Sequence, residues 1–223
     1  MKRCMWMLGL AAVSIWAKEN LLVWQYKGVD VHLDSNKTVH VDRNENPNCF
    51  EIPIRPEYIF GKSVDHVSLK CRRSVITTVG IIQPIQIDPK IKTVGELEVL
   101  AFLKRCQDEP KHHVLLDTRT PDWYLRMTIP GAVNLPYNEI GYDPDFPEEH
   151  HKMCKLLGIR KTGQGYDFSK AKTILLFCNG AWCTQSSKAI RVLMSLGYPK
   201  TKMLWYRGGL QDWLLMGFQG IKP

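Results

Sequence analysis

Thr173-Ile174-Leu175-Leu176-Phe177-Cys178-Asn179-Gly180-Ala181-Trp182-Cys183 is the stretch whose reading decides the fold. Its first five residues are apolar or β-favouring without alternation, the pattern of a strand buried on both faces. A cysteine and a glycine-bearing loop follow at once. Thr184 to Leu196 then reads as a helix, ended by Gly197 and Pro199. Working outward, His113-Val114-Leu115-Leu116-Asp117 is a second apolar run, closed by an acid. A third strand covers Lys202 to Tyr206, followed by Gly208-Gly209 and a short helix from Leu210 to Met216. Upstream, Thr93 and Glu96 fit a capping box. Leu97, Leu100, Ala101 and Lys104 follow at helical spacing until Pro110. Strands alternating with helices predict an α/β domain with a mostly parallel sheet flanked by helices, over residues 93–218. Residues 138–172 read as an insertion with a helical piece from His150 to Leu157.

The chemistry centres on Cys178. It stands at the carboxyl end of a buried strand with a helix starting just beyond, where open α/β sheets bind ligands. Inward-pointing N–H groups and the helix dipole favour the thiolate, the form that attacks. Cys178 is therefore the candidate nucleophile. Asn179, Gly180, Ala181, Trp182, Cys183 and Thr184 are the candidate substrate-binding loop, with Gly180 giving close backbone approach to an anion. A buried structural thiol or a disulfide is the alternative at this stage. A loop wound as an N–H nest turns its side chains outward, so Cys178 and Cys183 are expected to be unbonded, with Cys183 facing away. Asp117 and Arg119 read as a structural pair at the base of the loop, Arg119 doubling as a candidate substrate contact. Trp182 either packs the loop down or lines its mouth.

The amino-terminal part differs in character. Lys2 and Arg3 precede an apolar run from Met5 to Trp16, and Ala17 supplies a small residue before a cut. Residues 1–17 thus read as a signal peptide and predict an exported, periplasmic protein. No later apolar stretch is long enough to span a bilayer, so no stable membrane insertion is expected after cleavage. Residues 18–90 read as a small β-rich region, with strands at Leu22–Tyr26, Val29–Leu33 and Thr38–Val41. The stretch Ser74–Ile87 is also β-like, and Pro84 and Pro89 punctuate a linker. Cys49 and Cys71 are the candidates for a structural disulfide stapling this region, as against two free thiols or pairing elsewhere.

Lysine and arginine number 30 against 22 acids, a formal charge of +8. They are scattered, with no dense basic helix, so a nucleic-acid partner is not expected. His150 and Cys154 stand at i, i+4 beside His151, but a solvated helix is the simpler reading and no metal is assigned. No dinucleotide, Walker or haem-attachment pattern occurs, and no cofactor is expected.

Three motifs in order carry a resemblance to the rhodanese-like sulfurtransferases. Leu115 to Arg119, then Tyr124, then Ile129-Pro130-Gly131-Ala132-Val133-Asn134-Leu135-Pro136 resembles the family's entry motif. Phe177-Cys178 matches the strand end that delivers its catalytic cysteine. Tyr206-Arg207-Gly208-Gly209-Leu210 with Trp213 resembles its closing motif. The string Cys178 to Cys183, followed by Ser186, is similar to an exported bacterial subgroup with a β-rich extension. Met127-Thr128 stands where the family usually has Gly-His, and the loop holds no Arg or Lys before Lys188. The resemblance implies sulfane sulfur carried as a Cys178 persulfide and passed to a thiophilic acceptor, either a small molecule or a partner protein's thiol. The alternatives are a thiol–disulfide redox protein using Cys178 and Cys183, or a non-catalytic binding module.

Overall fold

The computed structural model describes residues 28–33, 37–42, 65, 67–71, 83–163 and 165–223. Strands β1 (Val29–His32) and β2 (Thr38–Val41) form an antiparallel pair. The main domain follows as β3 (Lys92–Thr93), α1 (Glu96–Asp108), β4 (His113–Asp117), α2 (Pro121–Tyr124) and β5 (Val133–Asn134). Then come α3 (Pro147–Leu157), β6 (Arg160–Thr162), β7 (Gly165–Asp167), β8 (Thr173–Phe177), α4 (Gln185–Ser195), β9 (Met203–Tyr206) and α5 (Gly209–Leu215). The order β3-β9-β8-β4-β5 makes a five-stranded sheet in which every pairing is parallel. The α/β sheet flanked by helices read from the sequence is the architecture found.

Side chains alternate across the sheet, so each strand feeds two cores. Leu115, Leu175, Phe177 and Tyr206 pack with Val99, Phe102 and Leu103 of α1 and Trp213 of α5. Leu116, Ile174, Leu176 and Trp205 face the other way, against Met153 and Leu157 of α3 and Ile190 and Leu193 of α4. Helices on both faces are what a doubly buried parallel sheet needs. The β1–β2 pair adds Val31 and Val41 to the α1 side. Gln107 of α1 donates to the Asp30 carbonyl at 2.5 Å.

Several local readings shift. The cap of α1 is Gly95, whose N–H is taken by the Glu98 carboxylate at 3.0 Å. Thr93 is not the cap: it pairs with Trp205 in β3, and its hydroxyl donates to the Ile85 carbonyl at 2.7 Å. Sheet pairing claimed the threonine that the local pattern assigned to the helix. The buried face of α1 is Val99, Leu100, Phe102 and Leu103, while Leu97 is 52% exposed. Helix α3 begins at Pro147, earlier than expected, because proline is favoured in a first helical turn. It buries His150, Met153, Cys154 and Leu157, so it is not a wholly solvated helix. The insertion also holds the β6–β7 antiparallel pair.

Of the amino-terminal expectations, residues 1–17, the strand Leu22–Tyr26 and Cys49 lie outside the described residues. Cys71 is buried and disulfide-bonded, whereas Cys106, Cys154, Cys178 and Cys183 carry free thiols. Residues 83–87, read as β-like, hold no strand. Among the described residues no helix is long and apolar enough to cross a membrane.

Candidate active site

β8 lies inside the sheet between β9 and β4, so its carboxyl end opens between the ends of both neighbours. The chain leaves it through Cys178 and is pinned at successive carbonyls. Phe177 O accepts the Thr118 N–H at 3.0 Å and the Thr118 hydroxyl at 2.8 Å. Cys178 O and Asn179 O accept the Leu210 and Gln211 N–H groups of α5, both at 2.9 Å. A further bond closes the loop on itself, from Cys183 N–H to Gly180 O at 2.9 Å. Gly209 sits at φ +62°, and a Cβ there would lie 2.4 Å from Cys178 O. Only glycine lets α5 come this close.

Gly180 also makes room for a side-chain contact. A Cβ there would lie 2.8 Å from the Gln211 amide oxygen and 3.0 Å from the Trp182 indole nitrogen. The empty space admits the Trp182-to-Gln211 hydrogen bond of 2.7 Å, which fastens the half-buried indole over the loop. Thr184 is exposed and is the N-cap residue of α4, without a side-chain capping bond. Ala181 is held from outside the loop: its carbonyl accepts Gln83 N–H at 2.7 Å. Gln83 also takes the Ser187 hydroxyl at 3.0 Å. Arg207 donates to the Gln83 and Pro84 carbonyls. The segment at Gln83–Pro84 is therefore a strap over the loop rather than a free linker.

Asp117 and Arg119 are fully buried and form a bidentate pair. Thr128, the departure from the family pattern, donates its hydroxyl to Asp117 at 2.6 Å. Asn134 holds the Asp117 and Arg119 carbonyls. The remaining guanidinium N–H groups reach Met127 O and, at 3.1 Å, the Asn179 side-chain oxygen. Arg119 is 1% exposed, with its donors engaged inside the protein. Its position is that of the structural pair at the base of the loop.

The two sulfurs are unbonded but not independent. Cys178 is 1% exposed, and Cys183 is 5% exposed. The Cys178 Sγ lies 3.4 Å from Cys183 O and 3.0 Å from the Ser186 hydroxyl. Trp205 donates its indole N–H to that hydroxyl at 2.9 Å, leaving the Ser186 proton free to point at Cys178. Each thiol shifts the other's titration, and Cys183 is buried beside Cys178 rather than turned out to solvent as expected. Burial, then the Cys183 hydrogen bond and charge, push the Cys178 thiol well above the ordinary value, with Ser186 pulling the other way. The hydrogen bond from Cys178 lowers Cys183 to about 6, assisted by the Gln185 and Asn179 backbone and the Arg119 charge, against burial. The pair titrates as a unit and keeps one proton at neutral pH, held on the deeper sulfur.

A second cluster lies in the insertion. His150 Nε2 is 2.8 Å from the Tyr166 hydroxyl and 3.6 Å from Cys154 Sγ. It borders a cavity of about 500 Å³ that Lys155, Arg160 and Lys161 also line. His151 is exposed. Among the described residues no three His, Cys, Asp or Glu side chains are placed to share a metal.

Sequence alone named Cys178 and its loop. It missed Gln83, Arg207 and Gln211 as the residues that hold the loop, and it quoted Ser186 without a role. Gln83 and Arg207 bond across 124 positions and leave no local pattern.

The profile of a family described as Rhodanese-like domain matches residues 100–216, just over half of the chain. The thiosulfate:glutathione sulfurtransferase of Saccharomyces cerevisiae is 28% identical over 130 residues, covering 56% of this chain and 84% of its own length. Among solved structures, a human single-domain sulfurtransferase is 22% identical with a TM-score of 0.35, covering 55% of this chain and 94% of its own. A rhodanese with anions from E. coli is 21% identical with a TM-score of 0.33, covering 50% and 99%.

Proposed function

The chain belongs to the family of rhodanese-like domain proteins, and from that premise we propose that it is a sulfurtransferase whose Cys178 carries sulfane sulfur as a persulfide. One observation carries the reading: Cys178 ends the buried strand β8 with its sulfur 3.0 Å from a hydroxyl whose proton is free to stabilise a negative charge. The N–H of Ser186, in the first turn of α4, supports the same sulfur. The thiolate attacks a sulfane donor, the donor's remaining group leaves with the electron pair, and Cys178 keeps the added sulfur. A nucleophilic acceptor then removes it, so one transfer becomes two easier steps. When the charge sits on Cys178, the pair's proton sits on Cys183.

Donor and acceptor are small sulfur compounds or a partner protein's thiol; the yeast relative, named for thiosulfate and glutathione, supports that class. The loop's lack of Arg or Lys weighs against thiosulfate as the physiological donor. Cys178→Ser tests the assignment, because serine is nearly isosteric and far less nucleophilic. Sulfur transfer to cyanide disappears while circular dichroism stays unchanged; turnover surviving in the variant overturns the role of Cys178.

The same reading takes residues 1–17 as a cleaved leader and the mature protein as periplasmic, supported by Lys2, Arg3 and the Met5–Trp16 run. N-terminal sequencing of envelope-fraction protein then starts near Lys18. An intact Met1 means an uncleaved N-terminal anchor in place of a cleaved leader, without touching the chemistry.

A further inference from the structure

The site contains more anion support than a single nucleophile uses. Ser186 serves Cys178, and a separate set serves Cys183. The Asn179 side-chain amide points at Cys183 Sγ from 4.0 Å, and its oxygen is held by the Arg119 guanidinium at 3.1 Å. The buried positive charge is thereby relayed, through an oriented amide, to the second sulfur. The Gln185 and Asn179 backbone N–H groups add to it. Access points the same way. Trp182 and Gln211 lie over the loop, the Gln83 strap crosses it, and Cys178 is 1% exposed. An external acceptor has to open this buried site to reach Cys178, whereas Cys183 is already inside it, its carbonyl 3.4 Å from the Cys178 sulfur.

We propose that Cys183 is a second reacting thiol of this site, which attacks the Cys178 persulfide and releases the carried sulfur as hydrosulfide. The proposal rests on the sulfurtransferase reading above. The Cys183 thiolate forms a bond to Cys178 Sγ. The bond from Cys178 Sγ to the outer sulfur breaks, and that sulfur departs with the electron pair and the persulfide proton as HS⁻. A Cys178–Cys183 disulfide remains. The sulfane sulfur gains two electrons and the dithiol loses two. Two equivalents of a low-molecular-weight thiol, or one of a dithiol, then reduce the disulfide and return both cysteines to the free state. Holding nucleophile and target inside one loop gives this internal step the advantage of an intramolecular reaction over an outside acceptor. That Cys183 carries the pair's charge at neutral pH agrees with the direction of attack.

The test uses the full reduced chain, loaded with excess thiosulfate or inorganic polysulfide in the absence of thiol, desalted, and measured by intact mass and fragment mapping. Wild-type protein ends two hydrogens lighter, cross-linked between Cys178 and Cys183, and thiosulfate loading releases one equivalent of hydrosulfide. Cys183→Ala, and Cys183→Ser if the alanine protein does not fold, ends one sulfur heavier on Cys178. Cys178→Ser ends with neither change. Wild-type protein that keeps the extra sulfur on Cys178 overturns the second-thiol proposal and leaves the sulfurtransferase reading intact. A disulfide that forms equally well without donor also overturns it. Absence of sulfur on Cys178 in the Cys183 variants with both donors overturns the sulfurtransferase reading itself.

Discussion

The Ser186 hydroxyl oxygen lies 3.0 Å from the Cys178 sulfur and is oriented by the Trp205 indole N–H. Because the indole can only donate, the serine proton is left for the sulfur. A hydrogen bond to a charged group contributes about 1.5–3 kcal/mol. Ser186→Ala therefore slows Cys178 sulfur uptake on the order of 10- to 100-fold, by the usual conversion of about 1.4 kcal/mol per decade. Its pH–rate profile moves to higher pH, since the thiolate loses a donor. Single-turnover uptake measured across pH checks this; an unmoved profile refutes the role given to Ser186.

The thiol pair sets a pH dependence of stability. Cys183 falls to about 6 when folded, against an ordinary thiol value of 9.0. Between those values the unfolded chain holds a proton that the folded chain has lost, so stability rises with pH. Above 9 the sign reverses. Cys178 keeps its proton in the folded state, as does Cys106, raised to about 11, and both lose it on unfolding. Denaturant titrations of reduced protein thus show a rise from pH 6 towards 9 that Cys183→Ala flattens. A rise of equal size in that variant contradicts the Cys183 assignment.

The comparison of sequence with structure sorts by range of interaction. The strands His113–Asp117 and Thr173–Phe177 appear at the residues expected. Each is a short apolar run buried on both sides, with no competing period. The Phe177–Cys178 junction was legible for the same reason. Thr93 misled because a Thr-x-x-Glu string is a local helix signal, while its pairing with Trp205 depends on a strand over a hundred residues away. The β6–β7 pair did leave a signal, Gly163-Gln164-Gly165 between two short runs, which reads as a hairpin turn. The burial of both thiols in one site left none. Loop side-chain direction follows from tertiary anchors such as Leu210 N–H on Cys178 O.

Arg207 tests the strap. Its guanidinium holds the Gln83 and Pro84 carbonyls, and Gln83 in turn holds Ala181. Removing these bonds costs about 1–3 kcal/mol, a fall in Tm of roughly 2–12 °C for a chain of this size. The loosened strap uncovers the loop, so Arg207→Ala makes Cys178 and Cys183 react with iodoacetamide several-fold faster under native conditions. Unchanged alkylation with a lowered Tm shows that the strap supports the fold without covering the site.

Gly209 gives the sharpest separation of loop geometry from overall folding. At φ +62° any L-residue carries a conformational cost of about 1–2 kcal/mol. The larger effect is local: an alanine Cβ meets the Cys178 carbonyl oxygen at 2.4 Å and the Gly180 backbone nitrogen at 2.8 Å. Neither is the end of a flexible side chain, so α5 and the loop have to move apart. The Leu210 and Gln211 N–H bonds to the loop carbonyls are then lost together. The sheet and the core on its α3–α4 face do not touch this contact and persist, while the Leu210 and Trp213 edge of the other core shifts. Gly209→Ala accordingly keeps a native far-ultraviolet circular dichroism spectrum and a cooperative melt, while sulfur uptake by Cys178 falls by at least tenfold. The tryptophan fluorescence of Trp182 shifts as its bond to Gln211 slackens. Full uptake in a folded Gly209→Ala protein means that the loop does not need its α5 anchor to react.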